Sequence, residues 1–130
     1  MKNRLVIVFV LFALLAAACG GAATPTTVAA EKFRIAVVMP SAITDMAFSQ
    51  SMWSALTAVQ KEMGGDTALE LKYSEGMFKV PDAAAAIRDY ASQGFDIVIA
   101  HGSQYGTSVQ EIAPDFPDTT FARVKNNPHF

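Results

Sequence analysis

Two short runs of nearly unbroken apolar, largely β-branched residues narrow the folds open to this chain more than any other feature: Phe33-Arg34-Ile35-Ala36-Val37-Val38-Met39 and Asp96-Ile97-Val98-Ile99-Ala100-His101. A strand that alternates apolar with polar side chains can leave one face in water. A run without that alternation has to be covered on both faces, as in a parallel sheet flanked by helices. Parallel neighbours also need crossover connections, so helical patterns are expected between the runs. The chain supplies them. Phe48, Met52, Ala55, Leu56, Val59 and Met63 recur at three- and four-residue intervals, which predicts an amphipathic helix with that stripe toward the sheet, closed by Gly64-Gly65. In Leu69 to Tyr73, Glu70 and Lys72 alternate with apolar residues, which predicts a second strand with one face toward solvent or at a sheet edge. Pro81-Asp82 opens a helix running through Ala83 to Gln93 and closed by Gly94, a short helix follows from Gly106 to Ala113, and Thr120 to Val124 reads as a fourth strand. The expected class is α/β, a parallel sheet with helices on both faces.

The N-terminus constrains the compartment. Lys2 and Arg4 precede an apolar stretch from Leu5 to Ala18, shorter than the roughly 20 residues of a membrane span, and residues 1–18 read as a secretory signal peptide. Its end, Leu15-Ala16-Ala17-Ala18-Cys19-Gly20-Gly21, brings small residues up to the one cysteine in the chain and resembles the bacterial lipobox. That resemblance implies that Cys19 is lipid-modified, becomes the first mature residue and anchors the protein at the extracytoplasmic face of the cell membrane; the plainer alternative is a small apolar side chain in a core or anchor. A single cysteine gives neither an internal disulfide nor a Cys-rich metal site. Residues 19–31, small, polar and interrupted by Pro25, read as a flexible tether. Losing Lys2 and Arg4 with the leader takes the formal charge from -2 to -4, and no cluster of Lys and Arg offers the positive footprint of a nucleic-acid binder. With 52% hydrophobic and 17% charged residues the chain fits one ordinary globular domain rather than a disordered segment.

On open parallel sheets, ligands sit beyond the carboxyl ends of the strands, where the strand order reverses. The loops from Pro40 to Phe48, Ser74 to Val80 and Gly102 to Thr107 are therefore the places to look for a site. The first contains Pro40-Ser41-Ala42-Ile43-Thr44-Asp45-Met46-Ala47-Phe48-Ser49-Gln50-Ser51. Together with Ile87-Arg88-Asp89-Tyr90-Ala91-Ser92-Gln93-Gly94-Phe95 running into Asp96 to Gly102, and with Ile112-Ala113-Pro114-Asp115-Phe116-Pro117-Asp118, this order resembles the basic membrane protein family. Those proteins are lipid-anchored substrate-binding components of bacterial ABC importers, purine nucleoside receptors among them. The resemblance runs from about Phe33 to Arg123. It implies the first lobe of a type I periplasmic-binding-protein fold, two α/β lobes closing on a ligand, with residues 32–130 as a partial, truncated N-terminal lobe. It also implies an ABC permease as partner, a nucleoside-like ligand and no cofactor.

Carried residue by residue, the motif's aspartate is Asp45 and its aromatic is Phe48, placed to stack on a planar base. Both residues have plainer readings, since Thr44 or Asp45 also suits the cap of the following helix and Phe48 falls on its apolar stripe. With Ser49, Gly102, Ser103 and Tyr105 they form the expected ligand-binding half-site at the ends of the first and third strands. Glycines in the third loop suit close approach to a ligand or a tight turn. Family members often carry Gly, Asn and Asn where this chain has Ser41, Thr44 and Ser49, and some carry an acidic residue near Thr107, which bears on nucleoside specificity. His101 reads as a strand-end histidine satisfied by a neighbour, Glu75 and Met77 as loop residues within reach of the cleft, Asp82 as a helix cap, and Trp53 as cover for a seam rather than a ligand contact. No nucleophile, carboxylate pair or metal constellation stands in a recognisable arrangement, so an enzyme is not expected. A truncated fragment that binds nothing, or a lipid-anchored structural or signalling module without a small ligand, is the alternative.

Overall fold

The computed structural model describes residues 31–124. The leader, Cys19, nearly all of the tether, and residues 125–130 lie outside the described residues. Four strands, β1 (Phe33–Val38), β2 (Leu69–Ser74), β3 (Ile97–Ala100) and β4 (Thr120–Arg123), form one parallel sheet in the order β2-β1-β3-β4. The register pairs Ile35 with Leu71 on one side and with Ile97 on the other, and Ala100 with Arg123. β1, the most apolar run, is central, and β2, with its polar alternation, is an edge, where Arg34 reaches across to Glu70 at 3.1 Å. The connections are α1 (Phe48–Glu62), α2 (Val80–Ser92) and α3 (Gly106–Ile112), the last extended by one 3₁₀ turn over Ala113–Asp115. Gly64 and Gly65 after α1 and Gly94 after α2 take positive φ, which ends each helix at little steric cost.

The order of the strands dictates which helix lies on which face. A right-handed crossover from β1 out to β2 places α1 on one face. The crossovers from β2 back over β1 to β3, and on to β4, run the other way and place α2 and α3 on the opposite face. The two cores follow this partition. Ala36, Val38, Val98 and Ala100 pack against Ala83 and Ile87 of α2 and Val109 and Ile112 of α3. Ile35, Val37 and Met39 pack on the other side with Leu56 of α1. Alternate residues of β1 thus enter different cores, as its unbroken apolar run requires.

The face that α1 buries differs from the expected one. Ser49 and Leu56 are buried, with Met52 and Trp53 partly buried beside them, whereas Phe48, Val59 and Met63 are 46%, 44% and 49% exposed. The helix is turned by about one residue relative to its apolar stripe. Trp53 explains part of the turn, because its ring packs 4.7 Å from that of Tyr73 on β2. Ser49 explains the rest, since the first loop passes so close to α1 that a small, hydrogen-bonding residue sits there.

Candidate functional site

The strand order reverses between β1 and β3: from β1 the chain moves outward to β2, then crosses back to β3 on the other side. Adjacent loops part at such a point and leave a crevice at the carboxyl ends of the strands. The segments after β1 and β3 flank it: Asp45 lies in the first loop, Phe48 and Ser49 open α1, and Gly102, Ser103 and Tyr105 follow β3.

Asp45 organises the first loop. Its Oδ1 accepts the amides of Ala47 (2.9 Å) and Gln50 (3.1 Å), and its Oδ2 accepts the amide of Ser49 (3.1 Å) and the hydroxyl of Ser41 (2.5 Å). Ala47, at the N-cap position of α1, has no side-chain oxygen to offer, so Asp45 does this from two residues upstream. The Ser41 hydroxyl first, then the amides of Gln50, Ala47 and Ser49, hold its carboxyl well below the usual carboxylate range. Four acceptor positions of an ionised carboxylate are thereby filled. Ser41 has a single hydroxyl proton, which goes to Asp45. Ser49 Oγ, 2.8 Å away, therefore donates to Ser41 Oγ. Met46, next along the loop, is forced to φ +57°, uncommon for a residue with a side chain, and is 91% exposed.

Phe48 opens α1, and its ring lies in the crevice, stacked on the imidazole of His101 with centroids 3.9 Å apart and planes 13° from parallel. His101 follows β3 directly and is 6% exposed. Its Nε2 lies 3.0 Å from the Phe48 carbonyl oxygen. A carbonyl only accepts, so Nε2 is the donor, and Nδ1 is buried and without a partner among the described residues. The histidine therefore holds Phe48 twice, by ring and by backbone, and leaves nearly half of that residue's surface open.

The rest of the expected half-site sorts by depth. Ser103 is exposed. Ser49 and Tyr105 are fully buried and Gly102 is buried, which moves all three from the cleft wall to the layer behind it. Tyr105 donates its hydroxyl to the Met77 carbonyl at 2.7 Å, and burial pushes that hydroxyl up to about 12. A Cβ at Gly102 would come within 2.5 Å of the Tyr105 ring, so that glycine makes room for the tyrosine side chain. The second loop is tied into the same structure: Met77 N donates to Met39 O (3.0 Å), and the Glu75 carboxylate accepts the Ile43 amide (2.7 Å). The three loops thus form one hydrogen-bonded rim. Sequence reasoning placed these loops together but gave His101 no part in presenting Phe48; the signal was available, since a histidine directly after a buried strand stands at the crevice mouth. Among the described residues, no three of His, Cys, Asp and Glu come together as a group that could hold a metal ion.

Comparison with known proteins agrees with this architecture. Over 121 residues the chain is 29% identical to the transcriptional activator protein med of Bacillus subtilis (strain 168), covering 93% of this chain and 35% of that protein. An ABC transporter solute-binding protein from Conexibacter woesei DSM 14684 superposes with a TM-score of 0.57 at 28% identity, over 68% of this chain and 28% of that one. A fragment from Peptoclostridium difficile 630, described as a lipoprotein, superposes with a TM-score of 0.62 at 17% identity, over 76% of this chain and 78% of that one, a likeness of fold alone. The chain spans about a third or less of the length of the first two proteins. A family model described as ABC transporter substrate-binding protein PnrA-like matches residues 32–125, most of the chain and all four strands of the sheet. The chain belongs to this PnrA-like, or Bmp, family of ABC transporter substrate-binding proteins.

Proposed function

We propose that this chain is the ligand-recognising first lobe of an extracytoplasmic, lipid-anchored substrate-binding protein that delivers purine nucleosides, or similar small planar polar molecules, to an ABC permease. The observation that carries the reading is the half-exposed Phe48 ring, held over His101 at the crevice where the strand order reverses. Aromatic faces pair well with flat, polarised rings, and a ring fixed from beneath spends little conformational entropy when a ligand stacks on it. Phe48 and Ser103 meet the ligand in this reading. Asp45, Ser49, Gly102 and Tyr105 hold the rim in shape. A second lobe supplies the opposite wall, since a single wall cannot enclose the 70–90% of ligand surface that small-molecule sites usually bury. The residues of the rim bind and orient a ligand, and no catalytic role is assigned to them.

The ligand class is tested by mass spectrometry of small molecules released when the purified protein is denatured. A nucleoside retained by the native protein and lost from Phe48→Ala is the expected result. Equal recovery from both, or a ligand without a planar ring, contradicts the reading. Anchoring is tested at Cys19: a diacylglyceryl group plus an amide-linked chain gives durable attachment where one chain would not. Cys19→Ser should abolish fatty-acid labelling and release the protein from membranes; undiminished labelling removes the anchor. A signalling role is a second reading, favoured by the name of the Bacillus relative. Finding permease and ATPase genes beside this one would favour import instead.

A further inference from the structure

On the other side of β3 from the Phe48 plate, the carboxyl end of β4 carries a cation that no carboxylate among the described residues pairs. Among the described residues the ion pairs are Arg34–Glu70, Lys72–Glu70 and Arg88–Asp115, and the guanidinium of Arg123 takes part in none. Register with Ala100 puts Arg123 on the α2–α3 face of the sheet, just beyond the buried core. There its guanidinium lies over Gly106, the first residue of α3. A Cβ added at Gly106 would stand 3.0 Å from Arg123 Nη1 and 4.0 Å from its Cζ. Gly106 has ordinary right-handed helical angles, φ -54° and ψ -44°, so no backbone requirement calls for glycine. What its missing side chain provides is the space in which the guanidinium lies. Around it is an open pocket of about 310 Å³, lined by Arg123, Val124, Gly106 and the polar side chains of Ser103, Gln104, Thr107 and Gln110, with no carboxylate among the described residues that line it.

We propose that this pocket is an oxyanion subsite, which takes the carboxylate or phosphate group of a ligand. The guanidinium is a planar fork of donors matched to the two oxygens of a carboxylate or phosphate, and the pocket adds two hydroxyls and two side-chain amides that can donate alongside it. An ionised group meeting Arg123 here faces no acidic side chain among the described residues of the pocket wall. Ser103 belongs both to this pocket and to the exposed part of the crevice rim. The subsite deepens the proposed function and rests on it in one respect, namely that the anion and the planar ring belong to one ligand. A flat molecule with an anionic arm, such as a nucleoside monophosphate, then binds more tightly than the neutral nucleoside that the ring plate alone accepts.

The test is calorimetry on the purified full chain with four probes: orthophosphate, acetate, a purine nucleoside and its 5′-monophosphate. Saturable binding of phosphate or acetate is expected, weakened by added salt. The tighter of the two identifies the group. The monophosphate should bind better than the nucleoside if phosphate is recognised. Replacing a charge-assisted donor pair should weaken oxyanion binding by about tenfold or more, so Arg123→Gln is expected to erase the preference for the charged probe. Gly106→Ala, which crowds the guanidinium without changing any charge, should weaken it severalfold. No saturable binding of either anion, or binding that persists in a folded Arg123→Gln protein as judged by circular dichroism, overturns the subsite. Nucleoside binding without anion binding refutes the subsite and leaves the Phe48 plate standing. Anion binding without nucleoside binding supports the subsite and refutes the nucleoside reading.

Discussion

Two side chains of the rim tie its integrity to pH in opposite directions. The folded state holds the Asp45 carboxyl below its ordinary range, chiefly through the Ser41 hydroxyl. Its unfolded value is close to 4, so the stabilisation is complete above about pH 4 and drains away as pH falls below that. Asp45→Ala is expected to lower the urea midpoint at pH 7 and to flatten the acid arm of the stability profile, while Asp45→Asn, which keeps one carbonyl acceptor, loses less. Equal midpoints for the native and Ala proteins between pH 3 and 7 would contradict this role. Tyr105 works at the alkaline end. Burial pushes its hydroxyl up to about 12, against about 10 in the unfolded chain, so its contribution is complete below about pH 10 and is lost as pH rises toward 12. Tyr105→Phe should cost about 1 kcal/mol at pH 7, because the Met77 carbonyl loses its donor, and should reduce the loss of stability between pH 10 and 12. Denaturant melts of both proteins at pH 8 and 11 check it, and an identical alkaline loss in the two would count against the assignment. Asp45 as a helix cap was readable from its place before an apolar helical pattern. The burial of Tyr105 and Ser49 was not, because it depends on loops 28 and 8 residues apart in sequence packing on one another.

At the level of elements, the sequence pattern identified every strand and α-helix of residues 31–124, with ends shifted by one or two positions, but not the 3₁₀ turns over Gly65–Thr67 and Ser103–Tyr105. Runs of β-branched residues and glycine stops act locally, and such signals survive in a single sequence. The orientation of α1 did not survive. Its apolar stripe is wider than the face that meets the sheet, so periodicity alone leaves an ambiguity that Trp53 on Tyr73 and Ser49 on Ser41 resolve. The consequence is measurable. Leu56 is buried, and Leu56→Ala should cost about 2–5 kcal/mol of stability. Phe48→Ala, removing a ring nearly half in water, should cost clearly less than the 3–5 kcal/mol typical of a buried phenylalanine. Denaturant melts that reversed this order would return Phe48 to the core and Leu56 to the surface. On this expectation Phe48 can be varied without unfolding the domain, which makes it a usable probe of binding.

For the molecule as a whole, the parallel sheet, its two cores and the reversal of strand order follow from the alternation of strand and helix patterns, and family membership places this sheet among ABC transporter substrate-binding proteins. The ligand is less legible, because the rim presents one wall, and in the proposed reading specificity depends on groups that face it across a closed cleft. The three loops nevertheless converge on a single rim, with Phe48 as its exposed aromatic plate and His101 as the support beneath. The central claim is that this plate binds a planar ligand. Titration calorimetry of the full chain and its Phe48→Ala variant against purine nucleosides and their monophosphates tests it most directly, with circular dichroism confirming that both proteins are folded. Saturable binding by the native chain, weakened by about 1–3 kcal/mol in Phe48→Ala, is the predicted result. Unchanged affinity in a folded Phe48→Ala protein, or no saturable binding of any of these ligands to the native chain, would contradict it.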